Sequence, residues 1–156
     1  MEKLTPCFLF NGQAGEAAKF YTSVFKKSKI LKTIYYGEAG PGPAGSIILV
    51  TFRLFGQEFI ALNGPRFPFT EAISFSIECD NQRQVDYYWK KLSEGGQPGP
   101  CGWLKDKFGV SWQVVPRVMV KMLADKDRKK VGRVMEVMMK MSKIETKPLL
   151  EAYKGK

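Results

Sequence analysis

Polar and apolar side chains alternate along residues 72–79, which hold the first candidates for chemistry. Ser74, Ser76 and Glu78 are separated by Phe75 and Ile77. A period of two is typical of a strand whose two faces differ. A small-molecule pocket needs apolar walls that bind the ligand and a few polar groups that orient it. The polar face of this segment is therefore a candidate wall of a binding pocket.

Trp103 and Gln113 lie in two later β-rich segments and extend this interpretation. An indole ring can form an apolar wall, and a carboxamide can orient a ligand through hydrogen bonds. The ligand-binding residues predicted in this half of the chain are Ser74, Ser76, Trp103 and Gln113. A structural alternative stays open, in which the serines bond to backbone groups and Trp103 and Trp112 fill the core.

Glu78 and Cys101 are the candidates for catalysis. A desolvated carboxylate can act as a general base, and a stabilised thiolate can act as a nucleophile. Lys105 and Lys107 follow Cys101 closely, but the sequence does not indicate whether they point inward. The chain contains no histidine, which excludes Ser-His-Asp and Cys-His catalysis and any His-ligated metal site. Whether the chain is an enzyme stays open.

A glycine motif at residues 40–45, GPGPAG, formally matches the GxGxxG pattern of dinucleotide sites. Such a site needs a helix N-terminus directly after the glycines to hold a phosphate or a ribose. Residues 46–52 instead form a β-rich run, and two prolines lie inside the motif. The motif therefore predicts a flexible hairpin loop, and no cofactor is expected.

The net charge of +10 is concentrated near the C-terminal end. Residues 117–156 hold 12 basic and 5 acidic side chains, against 13 and 10 in residues 1–116. The basic residues alternate with Met and Val at helical spacing, which is typical of a solvated helix face rather than of a nucleic-acid arm. We therefore expect no nucleic-acid partner.

The cysteines and the hydropathy indicate the cellular environment. Cys7, Cys79 and Cys101 are widely spaced, and no signal-like leader accompanies this odd number of thiols. Such thiols are typical of a reducing cytoplasm. No apolar run approaches the roughly 20 residues that span a bilayer. A cytoplasmic protein without a membrane partner is expected.

Periodicity predicts an α+β fold of two βαβββ modules and a helical tail. In the second module, a helix with Val85, Tyr88, Trp89 and Leu92 on its buried face separates the first strand from short strands at 99–101, 103–105 and 111–115. The apolar stripe at 131–144 predicts an amphipathic helix for core or dimer packing. The predicted single domain covers residues 1–156, with modules at 4–64 and 72–116 and a helical extension at 117–156.

Several sequence blocks carry a resemblance to a known family. They are LTPCFLFNG at 4–12, ALNG at 61–64 and CGWLKDKFGVSWQVVP at 101–116, where Asp106 and Gly109 indicate a tight turn. The chain resembles the PhnB-like branch of the vicinal oxygen chelate superfamily, which includes glyoxalases, bleomycin-resistance proteins and dioxygenases. This branch is often labelled 3-demethylubiquinone-9 3-methyltransferase. The resemblance implies a curved mixed sheet with a concave cleft, in a homodimer.

The resemblance also implies where metal ligands would stand. The usual histidine of the fifth strand falls at Ala72, and the usual glutamate of the last strand falls at Gln113. The positions of the remaining metal ligands fall at 4–8 and 61–63. Phe8 and Asn63 in these ranges are also predicted to bind the ligand. Glu58 and Glu78 alone would hold a divalent ion weakly. No metal is therefore expected.

The leading functional prediction is metal-independent binding of a small aromatic or planar apolar ligand in the concave face, as in the bleomycin-resistance type of relative. The alternative is the methyltransferase activity that the family label implies. A third possibility is a regulatory or structural dimer whose cleft is filled by Phe8, Phe10 and Trp103.

Overall fold

The computed structural model of the protein describes residues 2–156, so that Met1, the first residue of the predicted domain, lies outside the described residues. The described chain divides into two compact units, of which the first ends at Pro68 and the second spans Phe69–Lys156. Each unit contains one four-stranded mixed sheet. The predicted α+β class with two βαβββ modules is confirmed.

The first unit has the order β1 (Cys7–Phe10), α1 (Ala14–Val24), β2 (Lys29–Tyr35), β3 (Ile47–Leu54) and β4 (Gln57–Asn63). In the sheet the strands lie in the order β1-β4-β3-β2. The β1–β4 pair is parallel, and the other two pairs are antiparallel. Its core holds stacked aromatic rings, with Tyr21 and Phe52 both fully buried.

The second unit repeats this order with β5 (Phe75–Cys79), α2 (Gln82–Ser93), β6 (Gln97–Pro98), β7 (Trp103–Lys105) and β8 (Ser111–Pro116). Its sheet order is β5-β8-β7-β6, with β5 and β8 parallel. Three helices follow, namely α3 (Arg117–Leu123), α4 (Arg128–Met138) and α5 (Thr146–Lys154). None of the helices in residues 2–156 is long and apolar enough to cross a membrane.

Local sequence signals explain α2 and the turn before β8. The side chain of Asn81 accepts a hydrogen bond from the backbone N–H of Gln84, which caps the first turn of α2. Between β7 and β8, the N–H of Gly109 donates to the Asp106 carbonyl at 2.9 Å, and Gly109 has a φ of +87°. Glycine suits this left-handed conformation because it has no Cβ. The predicted Asp106–Gly109 turn is confirmed.

The glycine motif forms a hairpin loop, as predicted. Tyr36 and Ser46 are joined by the bond from the Tyr36 N–H to the Ser46 carbonyl at 2.9 Å, and the N–H of Gly45 donates to the Tyr36 carbonyl at 2.8 Å. The loop leads directly into β3 at Ile47. A helix N-terminus that could hold a phosphate does not follow these glycines.

Two predicted elements are wrong in detail. Residues 99–101 do not form a strand, since β6 is Gln97–Pro98. Cys101 and Gly102 have φ angles of +55° and +83°, and their N–H groups donate to the carbonyls of Met141 and Ser142 at 2.8 and 2.7 Å. The apolar stripe at 131–144 is not one helix, because α4 ends at Met138.

The C-terminal helices complete the core of the second unit. Their buried side chains form one cluster with β8, which comprises Val115, Met119, Met122, Val134, Met138, Ile144 and Leu149. Gln82 at the start of α2 joins this segment to the module, since its Nε2 donates to the Ile144 carbonyl at 3.0 Å and its Oε1 accepts the Thr146 N–H at 2.8 Å. The extension is therefore an integral part of the second unit.

Candidate functional site

One face of the second sheet brings together four of the predicted ligand-binding residues. The register pairs Ser76 with Gln113 and Gln113 with Trp103. Paired residues in adjacent strands present their side chains on the same face of a sheet. The Nε2 of Gln113 also donates to the Ser74 Oγ at 2.9 Å. Ser74, Ser76, Trp103 and Gln113 therefore share one surface.

The same face carries a partly open cavity of about 170 Å³. Trp103 and the turn around Pro98 and Pro100 supply its apolar wall. The lining residues are Glu71, Gln97, Pro98, Gly99, Pro100, Trp103, Leu104, Lys105 and Ser111. A cavity of about 150 Å³ in another protein holds one benzene ring, so this space suits a ligand of similar size.

Ser111 is the most informative residue of the cavity. It is only 2% exposed, and its Oγ has no hydrogen-bond partner among the described residues. A buried hydroxyl without a partner costs about 1–3 kcal/mol. Ser111 was not among the predicted site residues, although it stands two residues before Gln113 in the same strand and so faces the same side.

An ion pair lies at the edge of this cavity. Lys105 Nζ and Glu71 Oε1 are 2.6 Å apart, with side-chain exposures of 31% and 62% respectively. The hydrogen bond from Lys105 is the main cause that holds the pKa of Glu71 below its usual value. The orientation of Lys105 was open in the sequence, and the fold directs it into the cavity lining.

The two catalytic candidates lie outside the cavity lining. Glu78 forms a surface ion pair with Arg117, whose Nε is 3.3 Å from Glu78 Oε2. Cys101 Sγ lies 3.6 Å from the Met138 carbonyl and 3.8 Å from Met139 Sδ. Glu78 is 56% exposed and so lacks the desolvation that a general base needs. The contacts of Cys101 supply neither a general base nor a cation that would stabilise its thiolate.

Phe8 and Asn63 belong to the first unit. Phe8 is 4% exposed and stacks on Phe59, with the ring centroids 5.8 Å apart. Asn63 Oδ1 accepts the Ala14 N–H at 2.9 Å, and its Nδ2 donates to the Ile47 carbonyl at 3.0 Å. These bonds connect β4 to α1 and β3, and a role of either residue in ligand binding stays a prediction.

The positions at which superfamily members carry metal ligands do not hold suitable donor side chains in this chain. Ala72 offers no donor atom, and the Gln113 carboxamide is bonded to Ser74. Among residues 2–156 no three Cys, Asp or Glu side chains lie close enough to hold an ion together. The donor set of the site therefore lacks the His, Cys and carboxylate clusters that bind transition metals.

Comparison with solved structures identifies similar proteins. A PhnB protein from Bacillus cereus, described as a 3-demethylubiquinone-9 3-methyltransferase, is 38% identical to this chain with a TM-score of 0.65. The match covers 74% of this chain and 99% of that chain. Protein PA1353 from Pseudomonas aeruginosa is 21% identical with a TM-score of 0.63, over 74% and 98% of the two chains. FosX from Listeria monocytogenes, in a complex with Mn(II) and 1S,2S-dihydroxypropylphosphonic acid, is 11% identical with a TM-score of 0.57, over 78% and 98%.

Among curated proteins, no sequence matches this chain significantly. A family model described as 3-demethylubiquinone-9 3-methyltransferase matches residues 2–115 and ends before α3 begins. The match covers both βαβββ modules, and the Bacillus cereus relative supports it at 38% identity. The chain therefore belongs to the 3-demethylubiquinone-9 3-methyltransferase family, the PhnB-like branch of the vicinal oxygen chelate superfamily.

Proposed function

We propose that this chain binds a small planar molecule in the cavity of its second module, without a metal ion. The observation that carries this proposal is the buried Ser111 hydroxyl, which lacks a hydrogen-bond partner and belongs to a residue that lines the same cavity as Trp103. A planar ligand would cover the apolar wall, and one of its polar atoms would accept or donate the bond that Ser111 lacks.

The energetics favour a ligand that combines both features. Burial of apolar surface contributes about 25 cal/mol per Å², and a ring stacked on an indole gains further from offset contact. The polar atom gives orientation more than affinity, because it exchanges a bond to water for a bond to Ser111. Binding should therefore be weak for single rings and should improve with a hydrogen-bonding substituent.

Metal-independence is supported by the residues at the ligand places, since Ala72 and Gln113 replace the donors of metal-binding relatives. The Mn(II) described for FosX belongs to that protein, which shares only the fold with this chain at 11% identity. Binding in the cavity of Trp103 and Ser111 uses an aromatic wall and hydrogen bonds, and neither depends on an ion.

A methyl-transfer reaction is not favoured by these residues. A methyl donor such as S-adenosylmethionine is commonly held where a glycine turn meets a helix N-terminus, whereas the glycine motif here enters β3. Glu78 and Cys101 also lie outside the cavity lining. The residues of this chain therefore favour small-molecule binding over the methyl transfer that the family name implies.

A homodimer in the cytoplasm remains part of this proposal. Large apolar side chains are exposed in the C-terminal segment, with Met139 directly after α4 at 63% and Leu150 on α5 at 38%. Such side chains are common in subunit interfaces. Sedimentation velocity should give about twice the mass of one chain, and Met139→Asp with Leu150→Asp should shift the mass to that of the monomer. A monomeric native protein would contradict this part.

The experiment that tests ligand binding titrates benzamide against the protein and follows tryptophan fluorescence. We expect quenching that is lost in Trp103→Leu and kept in Trp89→Phe, because Trp89 lies on α2 and outside the cavity lining. Treatment with a chelator should leave the affinity unchanged. Unchanged fluorescence together with unchanged amide shifts of residues 97–113 in NMR spectra would overturn the proposal, as would a loss of binding on chelation.

A further inference from the structure

We infer that the ligand of this cavity is an aromatic monoanion whose charged group binds between the Lys105 ammonium and the Ser111 hydroxyl, displacing Glu71. This inference rests on the proposed binding function and specifies the chemical class of the ligand. It is carried by the pairing of one cationic and one unsatisfied polar side chain in the same small space.

The register of β7 and β8 sets Lys105 opposite Ser111. Lys105 and Ser111 are direct partners in this antiparallel pair, so their Cβ atoms are about 5 Å apart on one face of the sheet. Both line the cavity. A carboxylate placed beside them can accept from the Ser111 Oγ with one oxygen and from Lys105 with the other.

Lys105 already has an anionic partner, the carboxylate of Glu71. Glu71 holds Lys105 at 2.6 Å, and Glu71 is the more exposed partner, with 62% of its side chain accessible against 31% for Lys105. Exposed ion pairs contribute only about 0.2–1 kcal/mol. A ligand anion can therefore replace the Glu71 carboxylate, which is rehydrated at little cost, while Lys105 keeps a negatively charged partner.

The charges around the cavity favour an anionic ligand over a cationic one. A cationic ligand would pair with Glu71 at the exposed edge and would compete with Lys105 for it, so it would leave an ammonium next to a buried neutral hydroxyl. An anionic ligand engages Lys105 and satisfies Ser111 together. The aromatic part of the ligand then lies against Trp103 and the prolines at positions 98 and 100.

The test compares benzoate, benzamide and benzylamine, which share one ring and differ in charge, at constant ionic strength because salt screens these interactions. We expect benzoate to bind about tenfold more tightly than benzamide, since a charge-assisted bond is roughly twice as strong as a neutral one. Benzylamine should bind most weakly of the three.

Three variants assign this preference to residues. Lys105→Met should remove the preference for benzoate over benzamide, whereas Lys107→Met, the same substitution at a lysine outside the cavity lining, should keep it. Glu71→Gln should strengthen benzoate binding about two- to fivefold, because the internal competitor is gone, and should leave benzamide unchanged.

The outcomes separate this inference from the proposed function. Equal binding of benzoate and benzamide, or tighter binding of benzylamine, would overturn the anionic ligand class while the binding function stands. A preference for benzoate that survives Lys105→Met would overturn the assigned position of the anion. Failure of all three compounds to bind would overturn the binding function, and the ligand class with it.

Discussion

Trp112 donates its indole N–H to the carboxylate of Asp106 at 2.8 Å, inside the turn that joins β7 to β8. The same carboxylate accepts the backbone N–H groups of Phe108 and Val110 at 2.8 and 3.1 Å. Asp106 is only 3% exposed. These bonds fix the length and direction of the turn, and thereby the register that sets Lys105 opposite Ser111.

We expect Asp106→Asn to destabilise the protein by about 2 kcal/mol, because the carboxamide can offer its oxygen to the backbone but then turns an N–H toward the Trp112 donor. Chemical denaturation measures this change. Asp80→Asn is the matched control, since Asp80 pairs with Arg117 at 3.0 Å on the surface, and it should cost at most about 1 kcal/mol. Equal effects of the two variants would contradict a structural role of the Asp106 turn.

The C-terminal segment should be required for the stability of the second unit. Ile144 is fully buried in the cluster that joins β8 to the three C-terminal helices. Ile144→Ala removes buried methyl groups and leaves a cavity, which typically costs about 2–5 kcal/mol. Ile73→Ala, the same substitution at a position that is 74% exposed, should change the free energy of unfolding by less than about 0.5 kcal/mol. Similar losses in both variants would mean that the segment packs elsewhere.

Ionisation of the Cys79 thiol should lower the free energy of unfolding at alkaline pH. Burial, together with the neighbouring Asp80 charge, raises the pKa of Cys79 from 9.0 to about 11. Because the pKa is raised in the folded state, the thiol ionises first in the unfolded protein. The stability that the neutral thiol contributes is therefore complete below pH 9.0 and is lost as the pH rises from 9.0 through the folded value of about 11. Between about pH 8 and about pH 10.5, the wild type should therefore lose about 2 kcal/mol more than Cys79→Ala.

Denaturation at these two pH values measures the difference. Cys101→Ala serves as the control because it removes a thiol and leaves Cys79 in place, so the alkaline loss should persist. If Cys79→Ala lost as much stability as the wild type, ionisation of this thiol would not be the cause of the loss.

The hairpin at residues 40–45 should not bind a methyl donor. The N–H groups of Gly45 and of the preceding Tyr36 already form hydrogen bonds that close the loop, and β3 follows directly. We therefore expect isothermal calorimetry to detect no binding of S-adenosylmethionine at about millimolar concentration. A dissociation constant of about 1 mM would correspond to a binding free energy of about −4 kcal/mol. Micromolar binding, accompanied by methylation of a demethylated quinol, would restore the activity in the family name.

Local patterns in the sequence were sufficient to predict the two modules and several local structures. The alternation around Ser76 predicted β5, the stripe of Val85, Tyr88 and Leu92 predicted α2, and Asp106 with Gly109 predicted the turn before β8. Each of these signals has a short period or a specific backbone conformation, so that neighbouring residues are sufficient to reveal it. The family blocks at 4–12, 61–64 and 101–116 added the expectation of a curved mixed sheet.

The three-dimensional contacts were needed to show which polar groups have hydrogen-bond partners. Gln113 proved to be bonded to Ser74, whereas Ser111 kept an unpaired hydroxyl and Lys105 was held by Glu71. These facts depend on strand register and on contacts between distant segments, and no local pattern in the sequence specifies either. The turn at Cys101 illustrates the same limit, because its left-handed backbone is held by carbonyls some 40 residues away, at Met141 and Ser142.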